Sequence, residues 1–305
     1  VTASSDTTAK ICQVSTESLL KTLAGKAGHK KIVNSAQFSP VSADDSIGGK
    51  YIVTASDDNT AITWDAEKAI PINTLRGHKA QVFSAYFSPD GKKIVTASRD
   101  FSAIIWNAEK GIPIDTLKEV GYKSYLNSAQ FSPASTDDPG GGKYIVAAYD
   151  DDRYAKIWDA ENGMLIDTLK GHLGVLTSAQ FSPDGKKIVT ASYDKTAKIW
   201  VAKADTLITT LIGHRGVVNS AQYNPGGKTI VTTSYDNTAK VWDAASGYCL
   251  YTFFAIDSAD YLVIDKEGHY DGTDAARGLL YFTRGTEIIS LAQVKDPLWM
   301  PGLAG

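Results

Sequence analysis

The segment SAYFSPDGKKIVTAS at residues 84–98 returns almost letter for letter as SAQFSPDGKKIVTAS at residues 178–192. Tryptophans mark the same period, because they stand at positions 64, 106, 158, 200 and 242, at intervals of 42, 52, 42 and 42 residues. A further step of 52 residues back from Trp64 reaches Cys12, in an equivalent KIC frame. Self-similarity at such a period is typical of repeat architectures. The chain of 305 residues therefore contains six copies of a 42-residue unit, two of them extended by ten residues.

Each unit contains four short runs that are typical of β-strands. In residues 82–117 these runs are VFSAYF, KKIVTAS, SAIIW and IPIDTL, and turn sequences such as SPDG and EKG separate them. One sheet of four strands cannot bury both of its faces. Copies stacked around an axis bury these faces against each other and leave only short edges. The pattern thus predicts an all-β, closed array of small antiparallel sheets.

The unit resembles the WD40 repeat in its Gly-His pair, its SPDG turn and its D-x-T-A-x-x-W-D ending. The Trp-Asp pair itself stands at residues 64–65, 158–159 and 242–243, whereas Trp106-Asn107 and Trp200-Val201 depart from it. The resemblance implies a β-propeller of four-stranded antiparallel blades. It also implies a function in protein–protein scaffolding.

We expect a single propeller domain. Residues 1–255 supply six WD40-like repeats, the first without its initial strand, and residues 256–305 supply a divergent final blade and a C-terminal tail. Seven blades are the favoured number, because YLVID, GHYDGT, LLYFTR and EIISLAQV in the tail are still typical of strands. Six blades are the alternative, which holds if the tail donates only one strand.

Four units place a histidine, a threonine, an aspartate and a tryptophan at regular spacing. The aspartate follows the histidine by 22 residues in three units, and by 29 in the unit with a longer first turn. The four sets are His29, Thr54, Asp58 and Trp64; His78, Thr96, Asp100 and Trp106; His172, Thr190, Asp194 and Trp200; and His214, Thr232, Asp236 and Trp242. Hydroxyl, imidazole and carboxylate together could form a catalytic triad. Fourfold repetition in one domain favours a structural role, and the WD40 resemblance implies a buried hydrogen-bond network, so we predict no catalytic residues.

Two units depart from this pattern. In the fourth, Ala147 replaces the threonine and Tyr122 stands near the histidine position. In the first, Cys12 replaces the tryptophan. We predict that these two sheets are the least rigid.

The WD40 resemblance also implies a usual binding face, formed by the loops before the first strand and between the second and third strands. At this edge the residue before each turn aspartate varies while the surrounding frame repeats. We predict a partner-binding rim that consists of Asp57, Gln81, Arg99, Tyr125, Asp151, Val175, Tyr193, Val217 and Tyr235. Tyrosine and arginine are enriched at binding hot spots. The expected partner is a protein or peptide of unknown identity.

Composition excludes several classes of function. The net charge of −3 argues against binding to nucleic acid, and no apolar run is long enough for a membrane span. Two cysteines cannot form a disulfide framework, and we expect Cys12 and Cys249 to lie in the core. The aspartates at 150–152 are expected to be solvated, so we predict no metal and no cofactor.

The leading hypothesis is a non-catalytic interaction scaffold. The alternative is a small-ligand-binding or enzymatic propeller that uses the central channel, where Asn34, Asn127 and Asn219 could supply polar groups. The tail segments DYLVIDKEGHYDGTDAARGLLYF (260–282) and QVKDPLWMPGL (293–303) resemble the stretch after the propeller in bacterial proteins that carry caspase-like or other effector domains. That resemblance implies a sensory or regulatory module of a larger bacterial protein. The compartment is not identified, and a cytoplasmic location is favoured.

Overall fold

The computed structural model describes residues 1–13, 18–40, 49–118, 123–136, 138–150, 153–257, 259–284, 287–290 and 298–303. The side chains of residues 281–284 and 287–290 are outside this description. Regular structure in the described chain is almost entirely β-strand, arranged as successive antiparallel meanders. Each meander forms one blade.

The blades follow one another along the chain. The first has three strands, β1 (Thr2–Ala3), β2 (Ala9–Gln13) and β3 (Ser18–Leu23). The second consists of β4 (Val33–Phe38), β5 (Tyr51–Ser56), β6 (Thr60–Asp65) and β7 (Ile70–Arg76), and the third of β8 (Val82–Phe87), β9 (Lys93–Ser98), β10 (Ala103–Asn107) and β11 (Pro113–Leu117). The fourth consists of β12 (Leu126–Phe131), β13 (Tyr144–Tyr149), β14 (Ala155–Asp159) and β15 (Leu165–Leu169), and the fifth of β16 (Leu176–Phe181), β17 (Lys187–Ser192), β18 (Thr196–Val201) and β19 (Leu207–Ile212). The sixth begins with β20 (Val218–Tyr223), β21 (Thr229–Ser234), β22 (Thr238–Asp243) and β23 (Cys249–Ala255).

Neighbouring blades are joined by apolar packing of the residues that repeat in the sequence. Trp106 of the third blade is fully buried in a cluster with Val53 and Ala55 of the second, and the other regular interfaces are built in the same way. A serine hydroxyl reinforces each contact, since the main-chain N–H of Ala85 donates to Ser35 Oγ at 3.2 Å. The same bond at 3.2 Å recurs between the next three pairs of blades. The repeat therefore specifies both the strands and the way the blades stack.

The expectation of a seventh blade is wrong, because the residues that the structure describes form six. Strands β24 (Tyr261–Asp265) and β25 (Tyr270–Gly272) continue the sixth sheet, because β24 pairs antiparallel with β23. Leu262 and Tyr270 are buried with Ala276 of the short helix α1 (Asp274–Arg277) in a small cluster of their own. The tail thus buries its apolar residues against the outer edge of an existing blade. Strands β26 (Tyr281–Arg284) and β27 (Glu287–Ser290) form a separate two-stranded ribbon.

The first and sixth blades each have a face that no described blade covers. Val231 of the sixth blade is 39% exposed, whereas the equivalent Val189 is fully buried. Cys12 is exposed, so the expectation that it lies in the core is wrong, and Cys249 is half-buried. The physical reason is that the side chain at the tryptophan position packs against the preceding blade, and in the described chain no blade precedes the first one.

Candidate functional site

The hydrogen-bond set of the fifth blade runs from the turn between β17 and β18 into the core. Asp194 Oδ2 lies 2.7 Å from His172 Nδ1, and His172 Nε2 lies 2.7 Å from Thr190 Oγ1. The indole N–H of Trp200 donates to the same threonine oxygen at 2.9 Å. An ionised carboxylate only accepts, so Nδ1 carries the proton, and the threonine hydroxyl donates to Nε2 while its oxygen accepts from the indole.

The same four-residue chain is present in three other blades. The His Nδ1–Asp Oδ2 distances are 3.0 Å for His29–Asp58, 2.9 Å for His78–Asp100 and 2.9 Å for His214–Asp236. The His Nε2–Thr Oγ1 distances are 2.8 Å to Thr54, 2.7 Å to Thr96 and 2.7 Å to Thr232. Trp64, Trp106 and Trp242 donate to these threonines at 2.8, 2.9 and 2.8 Å.

Main-chain donors complete the coordination of each aspartate. Asp194 Oδ2 also accepts from the N–H of Leu173 at 3.0 Å, and Oδ1 accepts from the N–H and the hydroxyl of Thr196 at 3.0 and 2.6 Å. Burial alone would raise the pKa of the Asp194 carboxyl, but these hydrogen bonds outweigh it and hold the pKa well below its usual range. Burial lowers the pKa of His172, against the opposing effect of Asp194. The pair therefore consists of a carboxylate and a neutral imidazole near neutral pH.

The threonine hydroxyls of these four networks are not accessible to a substrate. The four threonines are 0% exposed, and each hydroxyl already bonds both a histidine and a tryptophan. A nucleophile must be able to approach the reacting atom. The four hydrogen-bond networks can orient the turns between the second and third strands. Their threonine hydroxyls could attack a substrate carbonyl only if the blade opened.

The fourth blade lacks this chain of bonds. Ala147 occupies the threonine position, and the indole nitrogen of Trp158 is buried without a hydrogen-bond partner among the described residues. Lys156, on the neighbouring strand, is buried with its ammonium 4.6 Å from the centre of the Tyr149 ring. Tyr122 lies outside the described residues. An unpaired buried donor is costly, which is the physical basis for expecting lower rigidity here.

Above the networks, the rim positions are linked in pairs by main-chain hydrogen bonds. The N–H of Tyr193 donates to the carbonyl of Val175 at 2.9 Å, and Tyr235 to Val217 at 3.0 Å. Arg99 donates to Gln81 at 2.9 Å in the same way. Each bond joins the residue before the turn aspartate to the residue before the first strand. The side chains of the rim thus project from a fixed frame.

The rim side chains differ in exposure from blade to blade. Tyr193 is 51% and Tyr235 is 68% exposed, and Arg99 is also exposed. The half-buried members are Asp57, Gln81, Tyr125, Val175 and Val217. Asp151 lies outside the described residues. The structure brings together Arg99 and Tyr125, whose guanidinium and ring centre are 4.8 Å apart.

Three residues at the rim were not found from the sequence. Phe101 stacks on Tyr125 at 5.2 Å with an angle of 13° between the rings, and it holds a left-handed backbone with φ of 71°. This conformation is strained for a bulky side chain, and the polar residues at equivalent positions of other turns could have signalled it. Leu173 is 81% exposed beside a buried histidine. Asp150, whose N–H donates to the carbonyl of Tyr125 at 2.9 Å, occupies the position assigned to Asp151, because the turn of the fourth blade is one residue longer.

Two of the three asparagines proposed for the central channel are engaged between blades. Asn34 Nδ2 donates to the carbonyl of Val82 at 3.0 Å and to Asp57 at 2.8 Å. Asn127 Nδ2 donates to the carbonyl of Leu176 at 2.7 Å. Asn219 is half-buried. The side-chain amides of Asn34 and Asn127 thus join the first strands of neighbouring blades.

A second group of titratable side chains lies in the hairpin between β24 and β25. Ligand-type atoms of Asp265, Glu267 and His269 come within 4.8 Å of one another. His269 Nδ1 is 2.8 Å from Asp265 Oδ2, and Asp265 Oδ1 accepts from the N–H groups of Glu267 and His269. The turn itself accounts for this grouping. No described helix is both long and apolar enough to cross a bilayer.

Comparison with known proteins supports the repeat assignment. The family model described as "WD domain, G-beta repeat" matches residues 17–65, 69–107, 163–201 and 205–243, together more than half of the chain.

Curated relatives share the repeat over part of their length. The chain is 28% identical over 167 residues to the nuclear distribution protein PAC1 of Arthroderma benhamiae. This alignment covers 54% of this chain and 35% of that protein. It is 36% identical over 73 residues to an uncharacterized WD repeat-containing protein of Synechocystis, covering 24% of this chain and 19% of the relative. It is 41% identical over 63 residues to ribosome assembly protein 4 of Chaetomium thermophilum, covering 21% and 11%. The matched region thus spans about a third or less of the length of these relatives.

Proposed function

Because the chain belongs to the WD40-repeat family, we propose that it is a non-catalytic scaffold that docks a protein or peptide partner on its rim. The observation that carries this proposal is the frame of the rim, in which main-chain bonds of 2.9–3.0 Å fix the positions of Arg99, Tyr193 and Tyr235. A surface that is ordered before binding loses little conformational entropy when a partner docks.

The composition of the rim supports a binding role. Tyr193 and Tyr235 are 51% and 68% exposed on consecutive blades, and Leu173, whose N–H donates to Asp194, is 81% exposed. Arg99, Tyr125 and Phe101 form a stack on the other side of the rim. Exposed aromatic and arginine side chains supply much of the binding energy at protein interfaces.

We extend the proposal to a regulatory module of a larger bacterial protein. The support for this extension is the resemblance of residues 260–282 and 293–303 to the stretch that follows the propeller in bacterial proteins that carry caspase-like or other effector domains. Two of the relatives named above are fungal proteins and one is cyanobacterial. Cytoplasmic location belongs to the same proposal.

Capture of partners by rim variants tests the scaffold hypothesis. Immobilised wild-type protein and the double variant Tyr193→Ala/Tyr235→Ala are compared by quantitative mass spectrometry of bound proteins. The matched control is Tyr248→Ala, because Tyr248 is 73% exposed in the turn between β22 and β23, on the opposite face. We expect the double variant to lose a defined partner that the control retains. A partner set that is equal for all three proteins would remove the rim as the binding surface.

A further inference from the structure

The outermost strand of the fifth blade leaves apolar side chains and one side of its main chain open at the circumference. This strand is β19, and in the described chain it pairs with β18 alone. Leu207 is 43%, Ile208 is 41% and Ile212 is 74% exposed. An open edge strand presents unpaired N–H and C=O groups to which a further strand can bind. We call residues 207–212 the β19 edge.

The outermost strands of the first four blades carry residues that discourage the addition of a strand. Charged side chains and proline have this effect at sheet edges. These residues are Lys21 in β3, Pro71 and Arg76 in β7, Pro113 and Asp115 in β11, and Asp167 in β15. Strands β19 and β23 contain neither proline nor a charged residue. The β19 edge thus lacks a protection that four of the other five edges have.

Ile212 stands where earlier blades carry a cation. It follows Leu211, which pairs with the alanine near the start of the third strand. The residues that follow the equivalent leucines in the second, third and fourth blades are Arg76, Lys118 and Lys170. A cation at an edge remains favourably in water, whereas an exposed isoleucine gains free energy when it is buried.

The sixth blade shows what covers an edge of this composition. Strand β24 pairs with β23, and this pairing places Leu262 opposite Phe254 and Ile264 opposite Thr252. Phe254 and Ile264 pack against the buried Leu262. Phe254 holds the position of Ile212 and is half-buried, whereas Ile212 is 74% exposed. The chain thus covers one uncharged edge with an added strand and leaves the other open.

The main-chain groups of the β19 edge point in the direction that such a strand requires. In the sixth blade, the N–H of Ile256 donates to the carbonyl of Asp260 at 2.9 Å. Hydrogen-bonded pairs alternate along an antiparallel ladder, so Phe254 also directs its main-chain groups to β24. Ile212 holds the equivalent position and Thr210 precedes it by two residues. Both therefore direct their N–H and C=O groups away from β18.

The charge at the β19 edge disfavours a second copy of the same strand. Lys198 Nζ donates to Thr210 Oγ1 at 2.9 Å, so a cation lies at the middle of the edge. Pairing of two β19 strands about Thr210 would bring two such ammonium groups together, and like charges that face each other across strands are destabilising. In the sixth blade, Lys240 makes the same bond to Thr252 at 2.8 Å beside β24. The cation is therefore compatible with an added strand of different sequence.

We propose that the β19 edge binds an extended segment of a partner protein, which joins the fifth blade as an antiparallel strand. The segment contains no proline, and it has large apolar residues at alternate positions that cover Ile208 and Ile212. Acidic residues at its ends suit the Lys198 ammonium, as Asp260 precedes β24 and Asp265 ends it. Main-chain hydrogen bonds hold the segment, and its side chains provide selectivity. This edge is separate from the rim, so the proposal stands or fails separately from docking there.

Binding of a peptide with the sequence of β24 tests the proposal. The probe is ADYLVID, the sequence of residues 259–265, with both ends blocked. Fluorescence anisotropy with the whole chain is expected to show saturable 1:1 binding. The same peptide with Ile264→Pro should bind at least tenfold more weakly, because proline cannot donate to a ladder. Hydrogen exchange at Thr210 and Ile212 should slow in the complex.

A variant of the protein removes the proposed surface with a sequence that the fold already uses. Thr209→Asp/Ile212→Lys changes residues 207–212 from LITTLI to LIDTLK, the sequence of residues 165–170 in the fourth blade. The variant should fold, because that sequence forms the edge strand β15, and it should bind the probe at least tenfold more weakly. Ile114→Lys is the matched control and should bind as the wild type does, because Ile114 is 52% exposed on the proline-containing edge of the third blade.

Three results would overturn the proposal. The first is absence of saturable binding of ADYLVID to the wild-type protein. The second is equal affinity of the wild type for the probe and for its proline variant, or of the probe for the wild type and for the double variant. The peptide comparison uses only wild-type protein, so it does not depend on the folding of a variant. The third is a dimer in sedimentation that the double variant abolishes, which would identify a second copy of the chain as the occupant.

Discussion

Replacing Thr190 by valine isolates the energetic role of one buried network. Valine keeps the shape of threonine and removes only the hydroxyl. Thr190 is 0% exposed, and its oxygen bonds His172 Nε2 at 2.7 Å and the indole N–H of Trp200 at 2.9 Å. The substitution therefore leaves two polar groups buried and unpaired in the centre of the fifth blade.

The magnitude follows from these two groups. An unsatisfied buried donor or acceptor costs about 1–3 kcal/mol, so the free energy of unfolding should fall by about 2–6 kcal/mol. The matched control is Thr206→Val, because Thr206 is an exposed threonine of the same blade. Surface substitutions of this kind change stability by about 0.5 kcal/mol or less.

Denaturant unfolding followed by tryptophan fluorescence measures the difference. Hydrogen exchange localises it, and the amides of β17 and β18 should lose protection first. If Thr190→Val and Thr206→Val differ by less than about 0.5 kcal/mol, the network does not stabilise the blade, and the assignment of these residues to structure is refuted.

Three further predictions follow from the same geometry. Amides of the first and fourth blades should exchange faster than those of the fifth, since the Trp158 indole has no acceptor among the described residues and no described blade covers Cys12. Equal protection factors would contradict this. The free energy of unfolding should decline as pH falls below about 6.5, because burial lowers the pKa of His172 and His214 in the folded protein and the unfolded chain therefore binds more protons. It should decline further below about pH 4, where the aspartates of the unfolded chain take up protons that Asp194 and Asp236 do not take up in the folded protein. Unfolding curves from pH 8 to 3 that show no such loss would refute the assigned protonation states. Gly216→Ala should lower the melting temperature and weaken partner binding, because the new Cβ would lie 2.7 Å from Asp236 N and 3.0 Å from the carbonyl carbon of Tyr235. Gly226→Ala should be neutral, because the nearest atom to its Cβ is Asn224 Nδ2 at 3.6 Å. Equal melting temperatures and partner affinities of the two variants would show that the rim tolerates displacement of its backbone.

The repeat made most of the fold predictable. Near-identical copies such as residues 84–98 and 178–192 must adopt the same strands, and their alternating apolar residues need neighbours of the same kind. The bond between His29 and Asp58 forms despite their longer sequence separation, because the longer turn between β4 and β5 lies at the other end of the sheet.

The remainder depended on tertiary contacts that no local pattern contains. The tail segment YLVID is a strand, as expected, but the exposed edge of β23 offered it a partner, so it extended the sixth blade. Cys12 holds a core position in the repeat and is exposed, since the blade that would cover it is absent from the described chain. The pairing of Ala148 with Ala155 confirms the one-residue insertion that moves the rim position to Asp150, which the longer interval from Ala147 to Trp158 already indicated in the sequence. Phe101 was missed because its contact with Tyr125 joins the third blade to the loop that precedes the fourth.

A hydrogen-exchange footprint of the complex with a partner purified through the wild-type protein tests the central claim most directly. Amides in residues 97–102, 191–196 and 233–238 are followed in the free and bound protein. The scaffold account predicts slower exchange in these rim segments and unchanged exchange in the turns at the opposite face. Protection confined to the Ser-Pro turns, with the rim unaffected, would contradict it.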